Sequence, residues 1–289
     1  MRKIFPVLTF PFFFAALLAG AECRRHTVPF VGPDERGEPF LIQNGEIGYV
    51  ITFRYTNPTP SAAPSVLVGM PLPVNLSGFS RRDFTWLVVN GIDSRRLEPK
   101  KYEIFNSGNR AGVHVHYNFD GVKMIQTFQI RDGSPLLEMI WTRSGGTPPE
   151  EKIKTLRLHF NVMPCIAARK SDSYDREVVT PRGVSENPDR VRRKRLKLDA
   201  RDVWLILQDA KYQAGTHPRA AGPVLLVPDW KGLASGNISF GTHQNVFADF
   251  TLDTGAECWR FGLLDSDKKR SNGQFREFVD GIPGLPVSP

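Results

Sequence analysis

His114 and His116 stand two residues apart in a run of alternating apolar and polar residues, so both imidazoles leave the same side of a strand. Two-residue turns at Asp120-Gly121 and Asp132-Gly133 set His114 opposite Thr127, and Thr127 opposite Glu138. In such a row across three strands, His114 and Glu138 lie about 9–10 Å apart at the backbone, with strands spaced about 4.8 Å. An imidazole and a carboxylate converging from that separation suit acid/base work on a hydroxyl or an anomeric centre. His114 and Glu138 are therefore the catalytic candidates, with His116 and Thr127 as ligand contacts. The alternative is an ordinary outer sheet face, where polar side chains belong with no ligand at all.

His-x-His on one strand is also a chelating geometry. Gly108, His114-x-His116 and Asp120 together resemble part of the first cupin motif. Aspartate stands where that family carries glutamate, and no second motif supplies the remaining histidine. No metal and no cofactor are expected. There is no GxSxG, HExxH, P-loop or dinucleotide fingerprint. One loop, Pro228-Asp229-Trp230-Lys231-Gly232, presents an aromatic beside an acid. A ring there can stack on the apolar face of a sugar while Asp229 takes its hydroxyls; otherwise Trp230 folds onto the loop's own core.

These residues need strands to hold them, and period-two alternation recurs along the chain. Asn44-Gly45 joins Phe40–Gln43 to Glu46–Tyr55, with Phe40, Ile42, Ile47 and Tyr49 on one face. Across the two Asp-Gly turns, Val113, Val115, Tyr117, Met124, Phe128, Leu137, Met139 and Trp141 share a face. Registers set independently by two turns thus agree on the apolar side. Further strands are expected at Ser65–Met70, Phe84–Val89, Ile153–Val162, Val203–Gln208, Val224–Val227, Val246–Leu252 and Cys258–Leu264. Trp86, Trp141, Trp204 and Trp259 fall inside these patterns and are assigned to the core. Phe275, Phe278, Val279 and Ile282 at helical spacing, after Ser271 or Asn272, predict a short helix over Gln274–Ile282. The expectation is an all-β protein, a large antiparallel β-sandwich of the super-sandwich type with one short C-terminal helix. The 25 glycines and 23 prolines in 289 residues fit many short strands and turns.

The segment Val122–Trp141, a hydrophobic alternation, a short glycine turn and a long strand, resembles the galactose-mutarotase-like super-sandwich. Val246–Leu252 and Cys258–Leu264 are similar in style, and the resemblance covers about a third of the chain. It implies a carbohydrate-facing protein, in a family that holds epimerases and many non-catalytic domains of glycan-degrading enzymes. No catalytic motif carries over.

From Pro164 to Leu198 the alternation stops, and ten Lys/Arg stand against five acids. That segment alone supplies most of the net charge of +8. Arg190, Arg192, Arg193, Lys194, Arg195 and Lys197 form a patch for an anionic polymer, or else a solvated loop. Nucleic acid is not expected, since no aromatics interleave with the cluster. Met1-Arg2-Lys3, the apolar run Ile4–Leu18 and Ala19-Gly20-Ala21 have the layout of a signal peptide cleaved after Ala21. The apolar run is shorter than the roughly 20 residues of a spanning helix. This reading makes residues 22–289 a single exported domain, secreted or periplasmic, with a basic insertion at 164–198 and no transmembrane segment after cleavage. Of Cys23, Cys165 and Cys258, the last two are the expected disulfide, because Cys23 lies near a terminus. The resemblance together with the signal-peptide layout implies an exported carbohydrate-binding protein, with an epimerase or lyase-like enzyme working through the His/Glu row, or a binder of anionic surfaces, as rival classes.

Overall fold

The computed structural model describes residues 20–27, 35–56, 65–69, 83–145, 153–163, 176–186, 195–214, 222–241, 245–266 and 270–285. Strands run in chain order as β1 (Glu22–Arg25), β2 (Glu35–Gln43), β3 (Gly48–Thr56), β4 (Ser65–Gly69), β5 (Thr85–Val89), β6 (Ile92–Asp93), β7 (Lys101–Ser107), β8 (Arg110–Phe119), β9 (Val122–Arg131) and β10 (Leu137–Arg143). They continue as β11 (Leu156–Val162), β12 (Arg176–Thr180), β13 (Gly183–Glu186), β14 (Arg195–Leu198), β15 (Leu205–Asp209), β16 (Val224–Pro228), β17 (Leu233–Phe240), β18 (Val246–Leu252) and β19 (Cys258–Asp265). One α-helix, α1 (Asn272–Asp280), follows. No described helix is long and apolar enough to cross a membrane. The expected signal segment lies outside the described residues apart from Gly20 and Ala21.

The strands form three antiparallel sheets: β1-β2-β3-β4, β13-β12-β15-β16-β19-β10-β9-β8-β7, and β14-β17-β18-β11-β5-β6. Phe53 of the four-stranded sheet and Phe84, just before β5 of the six-stranded sheet, both meet Phe128 of the nine-stranded sheet, with ring centroids 6.2 and 5.9 Å apart. Phe160 and Phe250 both meet Phe261 at 5.1 Å. The two smaller sheets therefore share one face of the large one, and a single core runs between the layers. The sandwich is as the alternation predicts.

The hairpin at Asp120-Gly121 has the expected primed turn, with φ of 52° and 91°, and pairs Val113 with Phe128 and His114 with Thr127. The next hairpin departs from expectation. Arg131 and Leu137 are separated by a five-residue loop, so Thr127 faces Ile140 and Glu138 faces Gln129. Asn44 holds the loop, donating from Nδ2 to the carbonyls of Arg131 and Ser134 at 2.7 and 2.8 Å. The slip is two residues, so every side chain keeps its face: Leu137, Met139 and Trp141 are fully buried, as expected. The same arithmetic holds at Asn44-Gly45, where Gln43 pairs with Gly48 and Asn44 Oδ1 accepts from Glu46 and Ile47.

Three further corrections concern the chain between these landmarks. Residues 164–198 are not wholly an unstructured insertion, since β12, β13 and β14 lie within them. Arg176 on β12 is buried and ion-paired with Asp209, its register partner on β15. Cys23 is buried in β1, with its N–H donating to Asn106 Oδ1 at 2.7 Å and its carbonyl accepting from Asn106 Nδ2 at 3.1 Å, so this end is tied down. Cys258 is a free thiol, and Cys165 lies outside the described residues.

The helix begins two residues earlier than predicted, capped by Ser271 and Gln274 in a reciprocal capping box. Phe275, Val279 and Ile282 pack on Trp204, Ile206, Leu225 and Leu264. Helix α1 thus covers the outer face of the nine-stranded sheet at its β15–β16–β19 end. Among the described residues no helix covers the β7–β10 part of that face, where Thr127, Gln129 and Ile140 are nonetheless buried, or the outer face of the six-stranded sheet.

Candidate functional site

On the β7–β10 part of the nine-stranded sheet, His114 Nδ1 lies 2.8 Å from Thr127 Oγ1, and its ring stacks on Phe105 with centroids 4.5 Å apart. Burial lowers the pKa of His114, partly offset by the charge of Glu103. His116 Nε2 lies 2.7 Å from Glu103 Oε2, and Lys101 binds the same carboxylate. Lys101, followed by His116, holds the Glu103 carboxyl below its ordinary range. Glu138 is engaged elsewhere, by Arg131 Nε at 2.9 Å and by Gln129. The His–Thr–Glu row therefore does not form. Glu138 lies one register row from Thr127, about 12 Å diagonally from His114, and faces its own cation. The acid/base geometry inferred for the pair loses its support. On this sheet the carboxylate that does meet a histidine is Glu103, on a strand that the alternation did not reveal.

Asp229 and Trp230 are both occupied within the fold. Asp229 Oδ1 caps a single 3-10 turn by accepting from Lys231 N at 3.2 Å. Trp230 Nε1 donates to the Asp202 carbonyl at 2.9 Å, and the ring packs edge-on to Phe250. Of the six basic candidates, Arg190, Arg192, Arg193 and Lys194 lie outside the described residues. Arg195 and Lys197 are exposed on β14, the edge strand of the six-stranded sheet.

That edge forms one wall of a groove of about 390 Å³, bounded by β14, β17, β18 and β11. Alternation in β11 sends Leu156, Leu158, Phe160 and Val162 into the core and turns Arg157, His159 and Asn161 outward. In β18 the outward residues are Phe247, Asp249 and Thr251. Registers align Trp86, His159, Asp249, Asn237 and Lys197 in one row across five strands. His159 Nδ1 lies 2.6 Å from Asp249 Oδ1, which orients the imidazole and leaves Nε2 for a ligand. Trp86, read as core from its sequence, instead stands on this outer face. Its ring stacks on His159 at 5.0 Å and 13°, with the Arg95 guanidinium over it at 4.1 Å. Arg95 is fixed in turn by Asp93 at 3.0 Å. Among the described residues, no acid pairs with Arg157, Arg195 or Lys197.

No protein-family model matches the chain, and no curated protein matches it in sequence. Among solved structures, the chain is similar to a TPR-domain containing protein from Parabacteroides distasonis, with a TM-score of 0.50 and 11% identity over 88% of this chain and 50% of that one. It is also similar to the alpha-N-acetylgalactosaminidase NagBb from Bifidobacterium bifidum (TM-score 0.48, 11% identity, 91% and 38% of the two chains). A third is the alpha-galactosidase from Lactobacillus brevis (0.43, 9%, 83% and 41%). At 11% identity the likeness to the first of these is one of fold alone. The chain spans half or less of the length of each.

Proposed function

We propose that the protein is an exported carbohydrate-binding β-sandwich protein whose ligand lies in the groove on the outer face of the six-stranded sheet. The observation that carries this is the row His159–Asp249–Asn237, a set of fixed planar donors and acceptors in an open groove, with His159 held by Trp86 on one side of it. Carbohydrate hydroxyls each donate and accept, so they pair well with an imidazole nitrogen, a carboxylate and an amide held at neighbouring strand positions. Ser239 and Thr251 extend the polar floor along the strands. Export is read from the layout of Met1–Ala21.

The test is a thermal-shift and calorimetric screen of the chain lacking residues 1–21 against a panel of neutral and acidic polysaccharides. Asp249→Ala and Asn237→Ala should each weaken carbohydrate binding at least tenfold, the loss expected for one well-placed hydrogen bond to a charged or amide group. His114→Ala should leave binding unchanged. Loss of binding in His114→Ala with full binding in Asp249→Ala would move the site to the nine-stranded sheet. No stabilisation by any carbohydrate would reject the reading.

A further inference from the structure

From the arrangement of charge in this groove we infer that its ligand is an acidic oligosaccharide or polysaccharide, bound diagonally between Arg157 and Arg195. This rests on the carbohydrate reading above and adds the ligand's charge and minimum length.

Both arginines line the groove, and they stand at opposite corners of it. Arg195 on β14 is in register with Ser239, Phe247 and Asn161, so its row meets β11 four residues from Arg157. Three inter-strand steps separate β14 from β11, about 14 Å, and four residues along a strand add about 14 Å in the other direction. The two guanidinium-bearing positions are thus about 20 Å apart at the backbone, with Asp249 and Asn237 between them. Lys197 adds a third cation on the β14 wall, beside Asn237.

The groove's only described acid is Asp249, already hydrogen-bonded to His159. Three cations without acidic partners against one engaged carboxylate leave a positive field over the groove. Arg95, farther along the sheet, is set aside because Asp93 holds it. Guanidinium groups bind carboxylates and sulfates in bidentate fashion, so each corner fits one acidic group of a ligand. A monosaccharide reaches one corner only. An oligomer long enough to cross about 20 Å reaches both, and gains the second contact without a second association cost.

The experiment compares polygalacturonate with its fully methyl-esterified form, which keeps the backbone and removes the charge, and adds a galacturonate series from the monomer to a long oligomer. Binding is followed by calorimetry at low and high salt, using the wild type and the variants Arg157→Gln and Arg195→Gln. The acidic polymer should bind at least tenfold more tightly than the ester. Each variant should lose about tenfold, as for a charge-assisted hydrogen bond. Affinity should climb with length until both corners are spanned, and salt should weaken it. The inference is overturned if the ester binds as tightly as the acid, if the monomer binds as tightly as the long oligomer, or if both variants bind normally. In each of those cases a sugar still binds, so the carbohydrate reading survives. Failure of acid and ester alike overturns the inference, while the carbohydrate reading stands or falls on the wider polysaccharide panel. Should either variant fold poorly, the ester comparison and the salt series on the wild type decide the matter unaided.

Discussion

The ion pair between Arg176 and Asp209 gives the sharpest test of where the fold departs from its composition. Arg176 belongs to a stretch so rich in charge that it reads as a solvated insertion, yet its side chain is 2% exposed and that of Asp209 is 7% exposed. Asp209→Asn takes the Asp209 charge away from the buried guanidinium, and Arg176→Met takes the guanidinium away from the buried carboxylate. Breaking one side of a buried pair costs about 3–5 kcal/mol. For a domain of this size each kcal/mol moves the melting temperature by about 2–4 °C, so either single variant should melt about 6–20 °C lower. Removing both charges together, in Arg176→Met/Asp209→Asn, should recover part of that loss, because neither member of the pair is then left facing the other's absence. Thermal unfolding followed by circular dichroism on the four proteins completes the cycle. If both single variants melted within about 2 °C of the wild type, β12 would not be packed against β15, and the residues would be the solvated loop that their composition suggests.

Three further predictions follow from local geometry. A Cβ added at Gly112 would sit 2.1 Å from the Phe128 carbonyl oxygen and 2.8 Å from Gln129 Cα, so Gly112→Ala should destabilise by about 3 kcal/mol, the upper end of overpacking costs; an unchanged denaturant midpoint would show that β8 and β9 do not approach so closely. Burial, reinforced by the charge of Glu22, pushes the Cys23 thiol up to about 12. Peptide mapping after iodoacetamide at pH 8 should therefore find Cys258 labelled in the native protein and Cys23 labelled only after unfolding, and native labelling of Cys23 would contradict its place in β1. For His114, burial lowers the folded pKa below the ordinary 6.5, so the folded state binds fewer protons. Its contribution to stability is complete above about pH 6.5 and is lost as pH falls through the lower folded value. His114→Gln should flatten that acid limb in melting curves, and identical pH profiles would refute the assignment.

Most of the layer that faces the core can be read from the chain. The primed turn at Asp120-Gly121 fixes its register to the residue because both turn positions need positive φ, and few other conformations are open to that pair. The Asp132 turn misleads by two residues because the loop runs on to Leu136 before β10 begins, and only the distant Asn44 reveals where it settles. The period of two absorbs that error for the core and exposes it for the polar face. A row across strands is lost when one strand slides by two, even though each residue still points outward. Strand β7 escapes notice because Lys101, Glu103 and Asn106 crowd a segment in which Tyr102 and Phe105 are half-buried and Ile104 is exposed. Trp86 is ambiguous in principle. Thr85–Val89 is apolar on both faces, and alternation alone cannot say which one turns inward. The groove is hidden for a different reason, since His159 and Asp249 are 90 residues apart and meet through a pairing of β11 with β18 that no turn announces.

The two exposed polar faces differ less in composition than in how their charges are used. On the nine-stranded sheet, Glu103 takes Lys101 and His116, and Glu138 takes Arg131. His114 is turned to Thr127. Groups so paired would have to give up a partner before meeting a ligand, and their fields cancel within a few ångströms. On the six-stranded sheet the acid–base pair His159–Asp249 sits at the centre, while Arg157, Arg195 and Lys197 stand around it without acidic partners among the described residues. Arg195 and Lys197, two residues apart on β14, face the same side and repel each other. An arriving anion relieves that repulsion and makes new hydrogen bonds in the same step. The basic cluster in the sequence thus bears on the groove through Arg195 and Lys197, whose strand forms its wall. On the proposed carbohydrate reading, the outer face of the six-stranded sheet is the better candidate, because its cations have no acidic partner among the described residues whereas the groups around His114 and His116 are paired with one another.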